Sequence, residues 1–294
     1  LIEGCLGLFA KYWMKIISPI VSASVVTAIG FSLLSVGSTS FGGGSGSENF
    51  GSVENWILGT ITLLCCILFN IFAKSYWKQL SVLFGLVVGY LVAIPMGLVD
   101  FSSLAGTSVI ALPHLMPFKM EFHLNAIISV ALIFLVSATE TIGDTQALAN
   151  SGLNRSATTK EISGSLACDG FISSLSSLFG CMPITSFSQN VGLVAMTKVV
   201  NRFALATGAI FLILCGLCPK LAALVSIMPQ SVLGGAAVMM FSSIVISGIQ
   251  LITKEPLTAR NLSIVSVALG VGYGMGANAS ILNQAPQAVQ LIFG

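Results

Sequence analysis

Pro183-Ile-Thr-Ser-Phe-Ser-Gln-Asn-Val-Gly-Leu-Val-Ala-Met-Thr-Lys198 is the stretch that decides how this chain is read. Proline has no backbone N–H and cannot continue a helix, so Pro183 ends whatever helix precedes it. Thr185, Ser186 and Ser188 then lead into Gln189 and Asn190 and a helix-like run over 188–198. Such a run rises only about 16 Å at 1.5 Å per residue, roughly half of a hydrocarbon core about 30 Å thick. A helix too short to cross, set between long apolar runs, predicts a half-helix that begins at depth. Its free N–H groups and positive dipole end then point into the membrane centre. Irregular backbone is tolerated there only where it is buried or lines a cavity, and interrupted helices of this kind form solute sites in membrane carriers.

The rest of the chain supplies the membrane. Its 294 residues are 55% hydrophobic and 7% charged, with a mean hydropathy of +0.98. A soluble domain carries about 25% charged residues, so a cytosolic enzyme and a disordered chain are excluded. A net charge of +2 offers no basic field for nucleic acid. Candidate spans lie at 16–36, 56–73, 80–99, 122–139, 162–182, 203–217, 231–252 and 262–275, all alternating across an all-α polytopic membrane protein. With the half-helix turning back, Lys11, Lys15, Lys74, Lys78, Arg155, Lys160, Lys198, Arg202, Lys254 and Arg260 fall on one side, which is therefore cytoplasmic. Lys119 and Lys220 fall on the other.

Gly42-Gly-Gly-Ser-Gly-Ser47 reads as a flexible external loop and lacks the ending of a phosphate-binding loop. Gly85/Gly89 and Gly270/Gly274 have the spacing of close helix packing. The seven cysteines lie mostly in apolar runs and read as small hydrophobes, with no metal expected. The chain opens Leu1-Ile2-Glu3-Gly4 and closes Leu291-Ile292-Phe293-Gly294, so a piece of a longer protein is expected.

Three acids fall among apolar residues: Glu140, Asp144 and Asp169. An ionised side chain at mid-bilayer costs about 2.5–3.5 kcal/mol on insertion scales, which calls for a polar cavity or for protonation. Glu140 and Asp144, four apart, share one helix face. Spacing alone also permits Asp144 and Asp169 to lie at the cytoplasmic interface, and permits Gln189 and Asn190 to be a helix-packing pair. The alternative is a site. The Gln189 amide offers donor and acceptor to the edge of a planar heterocycle, and a carboxylate at Glu140 accepts from ring N–H groups.

Gln189-Asn190-Val-Gly192-Leu-Val-Ala-Met-Thr197-Lys198 resembles the signature of the nucleobase–ascorbate transporter family, Gln/Glu-Asn-x-Gly-x-x-x-x-Thr-Lys/Arg/Gly. Glu140-Thr-Ile-Gly-Asp144 resembles its Glu-x-x-Gly-Asp motif, and Asp169-Gly170 stands between them as in the family. The likeness extends over essentially the whole chain, the Phe41-Gly-Gly-Gly44 loop included. It implies a fold of two inverted repeats of seven segments, divided into core and gate domains. On that mapping residues 1–121 are gate helices with a remnant of a core helix at 1–12, residues 122–228 are core, and residues 229–294 are gate. The first three segments, most of the fourth and the fourteenth are absent from the chain.

The resemblance assigns substrate contacts to Glu140 and Gln189, with backbone contacts at Phe187 and Ser188. It gives Asp169 and Asp144 proton coupling and the polar network, and Asn190, Gly192 and Thr197 the shape and specificity of the half-helix. Gln at 189 points to oxidised purines, xanthine or urate. The expected protein is thus a proton-coupled purine symporter of the cell membrane, working by alternating access of core against gate. The proton is its coupling ion, no cofactor and no enzymatic reaction are expected, and a homodimer forms through the gate. A uracil or other nucleobase permease, an anion exchanger of the same architecture and a receptor-like binding protein are the alternatives.

Overall fold

The computed structural model describes residues 2–13, 18–187, 189–278, 280 and 284. Those residues are helical and contain no strand. Helices α1 (Ile2–Leu8) and α2 (Ala10–Trp13) open the chain, followed by α3 (Pro19–Phe41) and α4 (Val53–Phe72). A 3-10 turn, Ser75–Leu80, feeds α5 (Ser81–Ala93), after which come the short α6 (Ser102–Ala105), α7 (Leu124–Leu153) and α8 (Thr159–Ser177). The half-helix is α9 (Gln189–Thr197), and α10 (Arg202–Gly216), α11 (Pro219–Ser226) and α12 (Gln230–Lys254) follow it. The last described elements are α13 (Ala259–Val267), a π-helical stretch Ala268–Tyr273 and α14 (Gly274–Ala277).

Among the described residues α3, α4, α7 and α12 are long and apolar enough to cross a membrane, and α10 with α11, bent by 80°, makes a fifth candidate. That is fewer than the eight expected spans, and the reasons are local. Helix α5 stops ahead of Pro95, helix α8 is rich in serine and carries Lys160, Glu161 and Asp169, and the final span is interrupted by its π-helical stretch. Helix α9 rises about 14 Å, too little to cross a bilayer by itself.

The chain divides into two compact units. The first comprises 1–32, 114–195 and 244–294. Here α1 crosses α8 glycine against glycine: a Cβ on Gly170 would fall on the Gly4 backbone, and one on Gly7 would collide with Ala167. Ser163 Oγ donates to the Gly7 carbonyl at 2.6 Å. Without a hydrophobic drive between helices in lipid, such close approach and its hydrogen bonds are what hold them together. Ala10, Ala138, Ile142, Ile162 and Leu166 form the small core joining α7 to that pair. The α7–α8 connector turns through Asn154 at φ +52°, a left-handed conformation that asparagine tolerates. Thr158 and Glu161 then form a reciprocal cap on α8, and Arg155 grips Glu161 with two bonds of 2.9 and 2.6 Å. Hydrogen bonds from Arg155 first, and from Thr158 next, hold the Glu161 carboxyl well below its ordinary value.

The second unit comprises 33–113 and 196–243, with Leu58, Ala93 and Val232 fully buried at its centre. Gly85 and Gly89 let α5 lie directly on Cys66 and Thr62 of α4, as their spacing predicts. Gly270 and Gly274 differ: a Cβ at either would meet nothing within 4 Å among the described residues, so their spacing marks no packing seam there. Residues 42–51 form a loop closed by Gly51 N donating to Gly42 O at 2.8 Å, with Gly43, Gly44, Gly46 and Gly51 at positive φ.

Candidate functional site

Just past the end of α8 at Ser177, Gly180 takes φ +72°, a conformation natural to glycine, and Cys181 N bonds back to Ser176 O at 3.2 Å. Over 181–187 the chain has no regular secondary structure. Ser173 of α8 fixes this stretch by both ends of one hydroxyl, donating to Ile184 O at 3.0 Å and accepting from Ile184 N at 3.1 Å. That registration carries Thr185 and Ser186 to α7.

Two hydroxyl ladders result. Asp169 Oδ2 of α8 accepts from Thr141 Oγ1 of α7 at 2.7 Å and from Ser186 Oγ at 3.1 Å, and the two hydroxyls lie 3.3 Å apart. Two hydroxyl donors on one oxygen satisfy much of what a carboxylate loses on partial burial. In the second ladder Ser137 Oγ of α7 lies 3.0 Å from Thr185 Oγ1 and 3.4 Å from Glu3 Oε1 of α1. Three helices are thus tied through polar side chains to the stretch entering α9.

Of the residues singled out in the sequence, Asp169 is joined directly to α7 and to Ser186. Glu140 is half-buried on α7, and Asp144, one turn on, is 7% exposed and buried within the first unit. Phe187 has an exposed side chain, and its carbonyl accepts from Asn190 N at 3.0 Å, closing the first turn of α9. Gly192 lies within α9, and Thr197 at its end accepts from Val199 N at 3.3 Å. Ser188 and the side chain of Gln189 lie outside the described residues. Thr141 and Glu3 are participants that the sequence reading did not single out. Glu3 could have been noticed as an acid inside the apolar run 1–9, whereas Thr141 carries no signal apart from its place beside Glu140. Among the described residues no group of three His, Cys, Asp or Glu is arranged to hold a metal ion.

Residues 1–280 match a family model described as a permease family, the xanthine and uracil permeases. The chain belongs to that family. Among curated relatives of this chain, a Clostridium perfringens protein named by inference as a purine permease is 35% identical over 293 residues, covering 100% of this chain and 65% of its own. The xanthine permease XanQ of Escherichia coli is 33% identical over 96% of this chain and 62% of its own length. The uric acid permease PucK of Bacillus subtilis is 34% identical over 98% of this chain and 67% of its own. The chain therefore spans a little under two thirds of the first two relatives. Its membership, with helices long and apolar enough to span a bilayer, makes it an integral membrane protein.

Proposed function

We propose that this permease carries purine nucleobases, xanthine or urate first among them, together with a proton. The observation that supports the reading is the hydrogen-bonded union of an acid on α8, and of α7, with an interrupted helix. Asp169 and, through it, α7 are hydrogen-bonded to the residues that run into α9. Broken backbone beside a hydroxyl-bound carboxylate, within apolar helices, suits a flat solute rich in N–H and C=O groups. The names of the relatives point to the same solutes.

In this reading Glu140 accepts from ring N–H groups, the Gln189 amide and the backbone at Phe187 and Ser188 meet the other edge, and Asn190, Gly192 and Thr197 set the shape of α9. Asp169 and Asp144 hold the polar network through which the proton is coupled. Transport proceeds by alternating access, the core at 122–228 moving against the gate at 1–121 and 229–294. These are parts of an inverted repeat of seven plus seven segments that pairs as a homodimer through the gate. Uptake of labelled xanthine into proteoliposomes bearing the full-length gene product, with and without a protonophore, tests the proposal. Accumulation abolished by the protonophore supports it; uptake indifferent to the protonophore removes proton coupling. Competition by urate but not by uracil or sulfate supports the substrate class, and the reverse pattern overturns it.

A further inference from the structure

Glu3 of α1 has no part in the function proposed above, yet its side chain is completely buried. Oε1 accepts one long bond, 3.4 Å from Ser137 Oγ. Oε2 is buried and meets no hydrogen-bond partner among the described residues. The charged side chains facing it are Asp169 from α8 and Glu140 from α7. The two ion pairs among the described residues, His123–Glu121 and Arg155–Glu161, lie elsewhere. Of the three acids only Glu3 is wholly enclosed, and a carboxylate without solvation that faces two others keeps its charge least easily. Their bonding tells them apart. Asp169 has two hydroxyl donors on one oxygen. Glu3 has a single weak donor and an oxygen left over, the arrangement of a neutral acid whose second oxygen carries hydrogen.

We propose that Glu3 is a proton-carrying positioning residue of the transport cycle. The proposal rests on the transport reading above. One proton from the aqueous side of substrate entry bonds to Oε2, converting carboxylate to carboxylic acid, and leaves to water on the opposite side; no other covalent bond changes. Ser137 transmits the change, because a hydroxyl has one hydrogen to give. When Glu3 is ionised Ser137 donates to it, and Thr185 must donate to Ser137. When Glu3 is neutral Ser137 is released to donate to Thr185, whose own hydrogen then turns toward another acceptor. The stretch leading to α9 thereby feels the protonation of α1.

The test uses proteoliposomes of the full-length gene product with labelled xanthine, comparing wild type with Glu3→Gln and Glu3→Asp. One pH unit is worth 1.36 kcal/mol per proton, so an inward gradient of one unit drives about tenfold accumulation in wild type. Glu3→Gln, permanently neutral, is expected to exchange internal for external xanthine yet accumulate none, with a flat pH profile; Glu3→Asp is expected to regain a pH-dependent profile. Wild-type accumulation in Glu3→Gln overturns the Glu3 inference and leaves transport standing. A wild type that neither accumulates nor exchanges xanthine overturns the transport reading itself. Should Glu3→Gln fail to insert, infrared difference spectra after a pH jump decide the matter. A carboxylic-acid C=O band that moves in Glu3→Asp supports the proposal, and identical spectra for Glu3→Asp and wild type overturn it.

Discussion

Glu140 and Asp144 stand one helical turn apart on α7, and the structure separates them by environment rather than by chemistry. Asp144 is almost fully enclosed, whereas Glu140 keeps part of its surface open, which the proposed contact with a solute requires. Glu140→Ala is expected to abolish measurable xanthine uptake, since a hydrogen bond to a charged group contributes about 1.5–3 kcal/mol and no neighbouring carboxylate shares its position. Gln189→Glu replaces an amide that both donates and accepts by a group that, ionised, only accepts. Competition profiles in that variant are expected to move from xanthine toward solutes presenting more N–H donors. Unchanged uptake in the first variant and an unchanged profile in the second would remove these two residues from the site.

Elements here are held by two different physical means, and each invites its own test. Between α1 and α8 the contact is backbone on backbone, so Gly170→Val must push the helices apart. Overpacking of this kind costs about 1–3 kcal/mol, and a lower thermal midpoint in detergent is the expected result; an unchanged midpoint would mean that α1 does not need this seat. The start of α8 depends instead on charge. Arg155 keeps the exposed Glu161 carboxyl below its ordinary value of 4.5, and the same pair raises the Arg155 guanidinium. A carboxyl depressed in the folded state contributes stability that is complete above its unfolded value and lost as pH falls through its folded one. Wild type and Glu161→Gln should therefore differ in midpoint at neutral pH and converge in acid, and a gap that persists in acid would exclude the charge as its source. These elements also mark what the sequence could and could not tell. Pro183 and the run after it disclosed the half-helix, since a missing N–H and a short apolar run are one-dimensional facts. The Ser173–Ile184 clasp, the Thr141–Asp169 bond and the buried Glu3 are not one-dimensional facts. They depend on which faces meet when α1, α7 and α8 cross, and a serine that clasps a backbone looks the same in a string as one facing lipid.

At the scale of the whole molecule, helix length and composition license four or five spans among the described residues, where the apolar runs of the sequence suggest eight. Helix α5 shows how the two can agree. Its 13 residues rise about 20 Å, too little by themselves, but the 3-10 turn Ser75–Leu80 leads directly into it. Six residues at about 2 Å each add a further 12 Å, which brings the pair to roughly the 30 Å of a hydrocarbon core. Lys78 within that turn does not forbid this, since a lysine near a helix end extends its ammonium to the interface. The chain should then pass inward through α4 and back out through the turn and α5. Single cysteines placed at Ser47, Lys74, Asp100 and Lys160 in a cysteine-free background, probed in intact cells with a membrane-impermeant maleimide, read this directly. Positions 47 and 100 are expected to label from outside, and positions 74 and 160 only after permeabilisation. Labelling of position 100 from inside would make α5 a re-entrant element. The lysines and arginines that follow would then fall on the opposite face, unless a later helix restored the alternation.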